Sequence, residues 1–377
     1  MEIRKDKLNV IAFYLPQFHT IPENDEAYGK GFTEWTNVKK AKPLFEGHRQ
    51  PRIPLDDNYY CLLDNGKTME WQVKLAKENG VFGFCYYHYY FSDGKKLLEK
   101  PLEEMLENKK IDMPFCLCWA NENWTRRWDG GNNEVIAEQT YDDIAGIEKH
   151  VEYLSRFLRD ERYITIDGKP ILIVYKPELI PNLKKYLREI RLQFKKQGFS
   201  SIALVCQYPT YYFNKRGLAL FDYYIQFEPI FIRTNNLIES HKFKFFIKRQ
   251  LLRLKLDGLI TYLSKRLRFK KTSELTRANY DKDWESILNY KINDPRLIAG
   301  CFVDWDNTPR NKRGLMYECA SPAKFEEYFR ALSDKVKNEY SLPITFITAW
   351  NEWGEGSYLE PDKENGTGYL EAIKKNV

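Results

Sequence analysis

Eight short runs of apolar residues punctuate the chain, and polar stretches of helical period separate them. The runs are LNVIAFY (8–14), VFGFCYY (81–87), MPFCLCWA (113–120), PILIVYK (170–176), IALVCQ (202–207), DYYIQF (222–227), AGCFVD (299–304) and ITFITAW (344–350). They are nearly continuous in aliphatic and aromatic residues rather than alternating. A parallel sheet covered on both faces requires that pattern. Between the runs lie amphipathic segments such as MEWQVKLAKENG (69–80) and PAKFEEYFRALSDKVKNEY (322–340). The first closes on Asn79-Gly80, a helix stop, directly ahead of the next run. Eight such alternations predict an α/β fold, a (β/α)8 TIM-type barrel forming one domain over residues 1–377. A doubly wound open sheet would place a glycine-rich turn after the first strand, and none follows VIAFY.

Two connections exceed what a minimal barrel needs. Residues 15–68, rich in Pro and Gly, follow the first strand, and residues 229–297 join strands six and seven. Within the second, 235–290 reads as a basic helical insertion. Its segment 242–271 holds eleven Lys and Arg against one Asp in a chain of net charge +6, so the remainder is acidic. Phe, Ile and Leu interleave with those cations, as in a helix lying on an anionic membrane or a polyanionic glycan. A solvated helical insertion is equally open. Nucleic acid is not expected as a partner, because the rest of the chain is acidic and carries no recognised binding motif.

The remaining composition narrows the class. Hydrophobic residues make up 43% and charged residues 30%, as in soluble globular proteins. No run approaches the roughly 20 apolar residues that span a bilayer. The N-terminal MEIRKDKLNVIAFYLPQF is stopped by Pro16 and lacks a small-residue cleavage site, so it reads as a first strand. The seven cysteines form no CxxC pair and several lie in apolar runs. Reduced thiols and a cytoplasmic setting follow, with neither structural zinc nor a disulfide framework.

In a barrel, residues just past the strand C-termini converge on one face. Those positions hold Tyr14, Gln17, Tyr87, His88, Tyr89, Asn121, Glu122, Trp124, Tyr175, Lys176, Gln207, Glu228, Asp304, Trp305 and the run Trp350, Asn351, Glu352, Trp353, Gly354, Glu355. So many polar and aromatic groups at the strand ends suit a ligand with several hydroxyls. The loop CLCWANENWTRRWDGG (116–131) adds Arg126 to amides and indoles that can hydrogen-bond and stack on sugars. In GKGFTEWTNV, Glu34 stands beside Trp35, either as a lid reaching the site or as a structural turn. The sequence VDWDNTPR (303–310) contains a D-x-D, but its position favours hydroxyl binding and no metal or other cofactor is expected.

Glu352 and Glu355, three apart among tryptophans, suit glycosyl transfer, which needs one acid to protonate the leaving oxygen and a second carboxylate. Glu360, followed by Pro361, reads as part of the rim or a turn.

The motifs FYLPQFH, GFTEWTNV, GFCYYHYYF, CLCWANENWTRRWDG, FVDWDNTPR and AWNEWGEGSYLEPD together resemble the WbsX-like proteins of bacterial surface-polysaccharide (O-antigen, capsule) gene clusters. These are related to glycoside hydrolase family 99, the endo-α-mannosidases. The resemblance implies a retaining α-glycoside hydrolase or transglycosylase that works without a carboxylate nucleophile, through a 1,2-anhydro sugar. Carried over, Glu352 would deprotonate the substrate 2-hydroxyl and Glu355 would be the general acid/base. Tyr14 would lie near the reacting sugar. The expected substrate is an oligosaccharide or polysaccharide, lipid-linked in the biosynthetic setting. A nucleotide-sugar-dependent glycosyltransferase of lipopolysaccharide biosynthesis and an inactive glycan-binding protein stand as alternatives. The expected location is the cytoplasm, with peripheral membrane contact through 242–271.

Overall fold

The computed structural model describes residues 1–91, 94–126, 134–141, 144–207, 215–240 and 274–377, without the side chains of 215, 216 and 238. Eight parallel strands form the barrel: β1 (Asn9–Tyr14), β2 (Val81–Tyr90), β3 (Phe115–Trp119), β4 (Lys169–Val174), β5 (Ala203–Gln207), β6 (Tyr223–Ile225), β7 (Leu297–Phe302) and β8 (Ile344–Thr348). Each coincides with one of the eight apolar runs. The ring closes because β1 pairs with β2 on one edge, Ala12 opposite Phe84, and with β8 on the other, Val10 opposite Thr345.

Strand β1 is buried at every position, as are β3, β7 and β8. Side chains alternate between the barrel interior and the helical layer. Phe13 faces inward and meets Tyr87, Phe227 and Phe346 at ring-centroid distances of 5.4–5.6 Å. Tyr14, its neighbour, faces outward against Phe84 and Tyr86. Gly300 on β7 is demanded by close approach: a Cβ there would lie 1.6 Å from the carbonyl oxygen of Gln226.

The outer helices bury one stripe each. In Pro322–Glu339 the buried residues are Phe325, Phe329, Leu332, Ser333 and Val336, spaced by the helical period. Full burial of each large apolar side chain contributes roughly 1.5–3 kcal/mol. Ser321 caps this helix by accepting from the Lys324 N–H, and Pro322 occupies its first turn.

The long connections carry structure of their own. That after β1 includes helices Pro22–Tyr28 and Glu34–Lys40. The loop after β7 contains Leu315–Glu318, which pairs in parallel with Thr276–Asn279. The strand Thr276–Asn279 and the helices Ile230–Ser240 and Tyr280–Leu288 are what the described flanks of the expected helical insertion 235–290 contain. The basic segment 242–271 lies outside the described residues, as do Arg127 and the rest of its loop to residue 133. Among the described residues no helix is long and apolar enough to cross a membrane.

Candidate active site

After β8 the chain folds back as a hairpin. Asn351–Glu352 pairs antiparallel with Ser357–Tyr358, and a single 3-10 turn, Trp353–Glu355, joins them. Glu352 and Glu355 therefore sit at the start and end of one tight turn. The turn is tied to the first strand: Asn351 accepts from the Leu15 N–H at 2.8 Å and donates to the Leu15 carbonyl at 3.1 Å. The Trp350 N–H reaches the Phe13 carbonyl at 2.7 Å.

One guanidinium organises the acids. Arg310 donates through Nη1 to Glu355 at 2.6 Å and through Nη2 to Glu352 at 3.1 Å. Its Nε donates to Glu34 at 2.9 Å, with Nη2 a further 2.8 Å from the same oxygen. The Glu34 side chain is fully buried, that of Glu352 is 11% exposed and that of Glu355 is 25% exposed. Burial raises the proton affinity of both Glu352 and Glu355, while Arg310 opposes that rise and the neighbouring carboxylates add to it. The pair thus retains a proton into the neutral range, where one acid can donate while the other accepts.

Tyrosines and amides complete the mouth. Tyr87 stacks on Phe13 and meets Tyr175 edge to face at 6.0 Å. Gln17 donates to the Tyr89 hydroxyl at 3.1 Å, and its side-chain oxygen is buried without a partner among the described residues. Trp124 packs edge-on against Tyr89 and donates to Asn24. Glu122 and Lys176 form an ion pair, with the ammonium 5.0 Å from the Tyr175 ring centre. Gln207 is buried beside the Cys118 thiol. Arg126 lies 5.9 Å from the ring centre of Tyr28.

Other expected site residues are turned elsewhere. Tyr14 donates to Gln72 at 2.6 Å on the outer helix Lys67–Glu78. His88 faces the helical layer, its Nε2 3.0 Å from that of His150. Asn121 fastens the loop after β4 by accepting from the Lys176 N–H and donating to its carbonyl. Glu228 accepts from the Ile232 N–H at the start of helix Ile230–Ser240, and burial pushes its carboxyl up to about 8. Trp35, Tyr60 and Trp353 form an aromatic cluster, in which Trp353 stacks on Tyr358 at 3.7 Å. Trp350 packs against Phe84. Trp305 is buried, with its indole N–H unpartnered among the described residues.

Both aspartates of the D-x-D are held by protein donors. Asp304 accepts from Arg52 at 2.8 Å and from the Trp305 N–H at 2.7 Å. Asp306 takes His48, Gln50 and Thr308. Among the described residues, no group of three or more His, Cys, Asp or Glu side chains is disposed to hold a metal ion.

Two features depart from the sequence reading. Glu360 is not a rim residue: it is buried and accepts from Tyr60, Gln72 and Trp353, and burial pushes its carboxyl up to about 7. Arg310, within VDWDNTPR, is not among the residues the sequence pattern marks for the site. The usable signal was charge, since several acids gathered in an apolar setting need a nearby cation.

The chain resembles known proteins in fold and in sequence. Among solved structures, the GH99 endo-alpha-mannosidase from Bacteroides thetaiotaomicron shares the fold with a TM-score of 0.55 at 12% identity, covering 97% of this chain and 96% of that one. A structure named only as a glycoside hydrolase-like protein gives a TM-score of 0.56 at 12% identity, over 100% of this chain and 95% of that one. The uncharacterized protein WxcX of Xanthomonas campestris pv. campestris is 34% identical over 376 residues. That match covers 97% of this chain and 49% of WxcX, so the chain spans about half the length of its curated relative. With residues 10–373 matching the family described as Glycosyltransferase WbsX, the chain belongs to the WbsX family.

Proposed function

We propose that the protein is a glycan-active enzyme: a retaining α-glycoside hydrolase or transglycosylase of endo-mannosidase type, acting in bacterial surface-polysaccharide metabolism. The observation that carries this reading is a pair of carboxyls, buried Glu352 and half-buried Glu355, on one guanidinium at the tyrosine-lined mouth of a barrel.

The more enclosed Glu352 suits the sugar ring, and the more open Glu355 suits the leaving group. In the first step Glu352 accepts the proton of the substrate 2-hydroxyl, and that oxygen attacks C1. The bond from C1 to the glycosidic oxygen breaks as Glu355 protonates the departing oxygen. A 1,2-anhydro sugar and a free alcohol result. In the second step the Glu355 carboxylate takes a proton from water, whose oxygen opens the three-membered ring at C1. Glu352 returns its proton to O2. Two inversions give retention, and a sugar hydroxyl in place of water gives transfer. The 2-hydroxyl must lie trans to the leaving group.

The family's description as a glycosyltransferase supports a second reading, a nucleotide-sugar-dependent transferase. A metal bridging Asp304 and Asp306 in that reaction would have to displace Arg52 and His48. On either reading the substrate is lipid-linked, and the basic segment 242–271 brings the protein to the inner membrane face.

A panel of α-linked manno-oligosaccharides and their glycosyl fluorides tests the first reading. Glu355→Gln should cut turnover of the oligosaccharides by about a thousand-fold. It should spare the first step on a fluoride, whose leaving group needs no proton, whereas Glu352→Gln should lose both. Undiminished oligosaccharide turnover by Glu355→Gln overturns the assignment. Turnover that requires a nucleotide sugar favours the transferase.

A further inference from the structure

We propose that Arg310 is the positioning residue of the acid pair, holding Glu352 and Glu355 by one oxygen each so that the pair carries a single proton. This rests on the reading of those two glutamates as the working acids.

The guanidinium is fixed rather than shared loosely. Glu34, fully buried, takes both Nε and Nη2 and anchors its plane, leaving Nη1 for Glu355 and Nη2 for Glu352. Room for this arrangement is built into the catalytic turn. A Cβ on Gly354 would stand 1.7 Å from Glu34 Oε1 and 2.8 Å from Arg310 Nε. Arg310 engages one oxygen of each acid, Oε1 of Glu355 and Oε2 of Glu352. A lysine could not reproduce this, because one ammonium lacks the planar fork that reaches three carboxylates.

Charge then sets the proton count. With both acids ionised, three carboxylates share one buried cation, which favours uptake of a proton. With both acids neutral, Arg310 keeps Glu34 and loses two of the three carboxylates that it meets among the described residues. The one-proton state lies between these extremes and is the state that acid–base chemistry uses. Among the described residues, the other titratable groups facing the pair are Tyr87, Tyr89 and Tyr175, whose phenols burial keeps protonated, and Glu122, neutralised by Lys176.

Carboxyl 13C NMR of protein labelled at glutamate Cδ tests this without any substrate, so it stands apart from the question of activity. Signals are assigned by their loss in Glu352→Gln and Glu355→Gln. The native pair should show a one-proton plateau about two pH units wide. Arg310→Met should move both midpoints up by at least about one unit, with Arg310→Lys restoring part of the shift. Glu34→Gln should move them down. Unchanged midpoints in folded Arg310→Met, or two acids ionising together below about pH 5 in the native protein, overturn the proposal. Where Arg310→Met does not fold, Glu34→Gln keeps the side-chain shape and decides the matter, unchanged midpoints again being the overturning result.

Discussion

Gly354 and Glu34, 320 positions apart in the chain, approach so closely that a methyl group on Gly354 would collide with Glu34 Oε1 at 1.7 Å. The carboxylate that anchors Arg310 is thereby wedged against the turn carrying Glu352 and Glu355. Gly354→Ala should push Glu34 and Arg310 off the turn. We expect a stability loss of about 1–3 kcal/mol and a fall in glycan turnover of at least about ten-fold. Thermal melts and initial rates check the two effects, and native behaviour in both would show the turn to be slack.

Glu360 supports the same turn from behind. It receives three hydrogen bonds, including that of the Trp353 indole, in a buried setting. Glu360→Ala orphans all three donors and should destabilise by about 3–5 kcal/mol, with Glu360→Gln milder because it keeps the shape. Denaturant titration of both variants separates this from a rim residue, whose replacement would cost almost nothing.

Glu228 makes stability depend on pH. Its folded carboxyl is pushed up to about 8, above the ordinary value near 4.5. Between those values the folded chain binds more protons than the unfolded one, so stability falls as pH rises through the window. Glu228→Gln should remove its own share of that slope, leaving the part due to Glu360 and the acid pair, and should stabilise the protein at pH 8 by roughly 2–4 kcal/mol. Melting temperatures from pH 5 to 9 report it. A variant that keeps the native slope would show that Glu228 is not its source.

The basic segment 242–271 should carry the protein onto vesicles containing anionic lipid. Sedimentation with such vesicles should fall as salt rises toward 0.5 M, because screening shortens the reach of its charge. Binding indifferent to lipid charge and salt would remove this role.

The barrel was legible because a sheet buried on both faces leaves little choice of residue, and LNVIAFY or ITFITAW can hardly be anything else. The strand ends were legible only to within one residue. Successive side chains point to opposite faces, so Phe13 enters the barrel and Tyr14 leaves it, as Tyr87 enters and His88 leaves. Hydrophobicity does not distinguish such neighbours. The tryptophans are ambiguous for a related reason: Trp35, Trp350 and Trp353 are buried in packing contacts, and among the described residues the mouth is lined largely by tyrosine. The cluster on Arg310 is tertiary, and no local pattern places Glu34 beside it.

Ring closure has a kinetic consequence. Arg310 and Glu34 stand 276 residues apart, and Asn351 meets Leu15 across 336. Such contacts are among the last for which the chain can offset the entropy of closing the loop. A chain in which β1 and β8 have not yet joined lacks the Asn351 clamp that ties the acid-bearing turn to the loop after β1. Partly folded molecules should therefore be chemically silent, and activity should appear only with the final seam of the barrel.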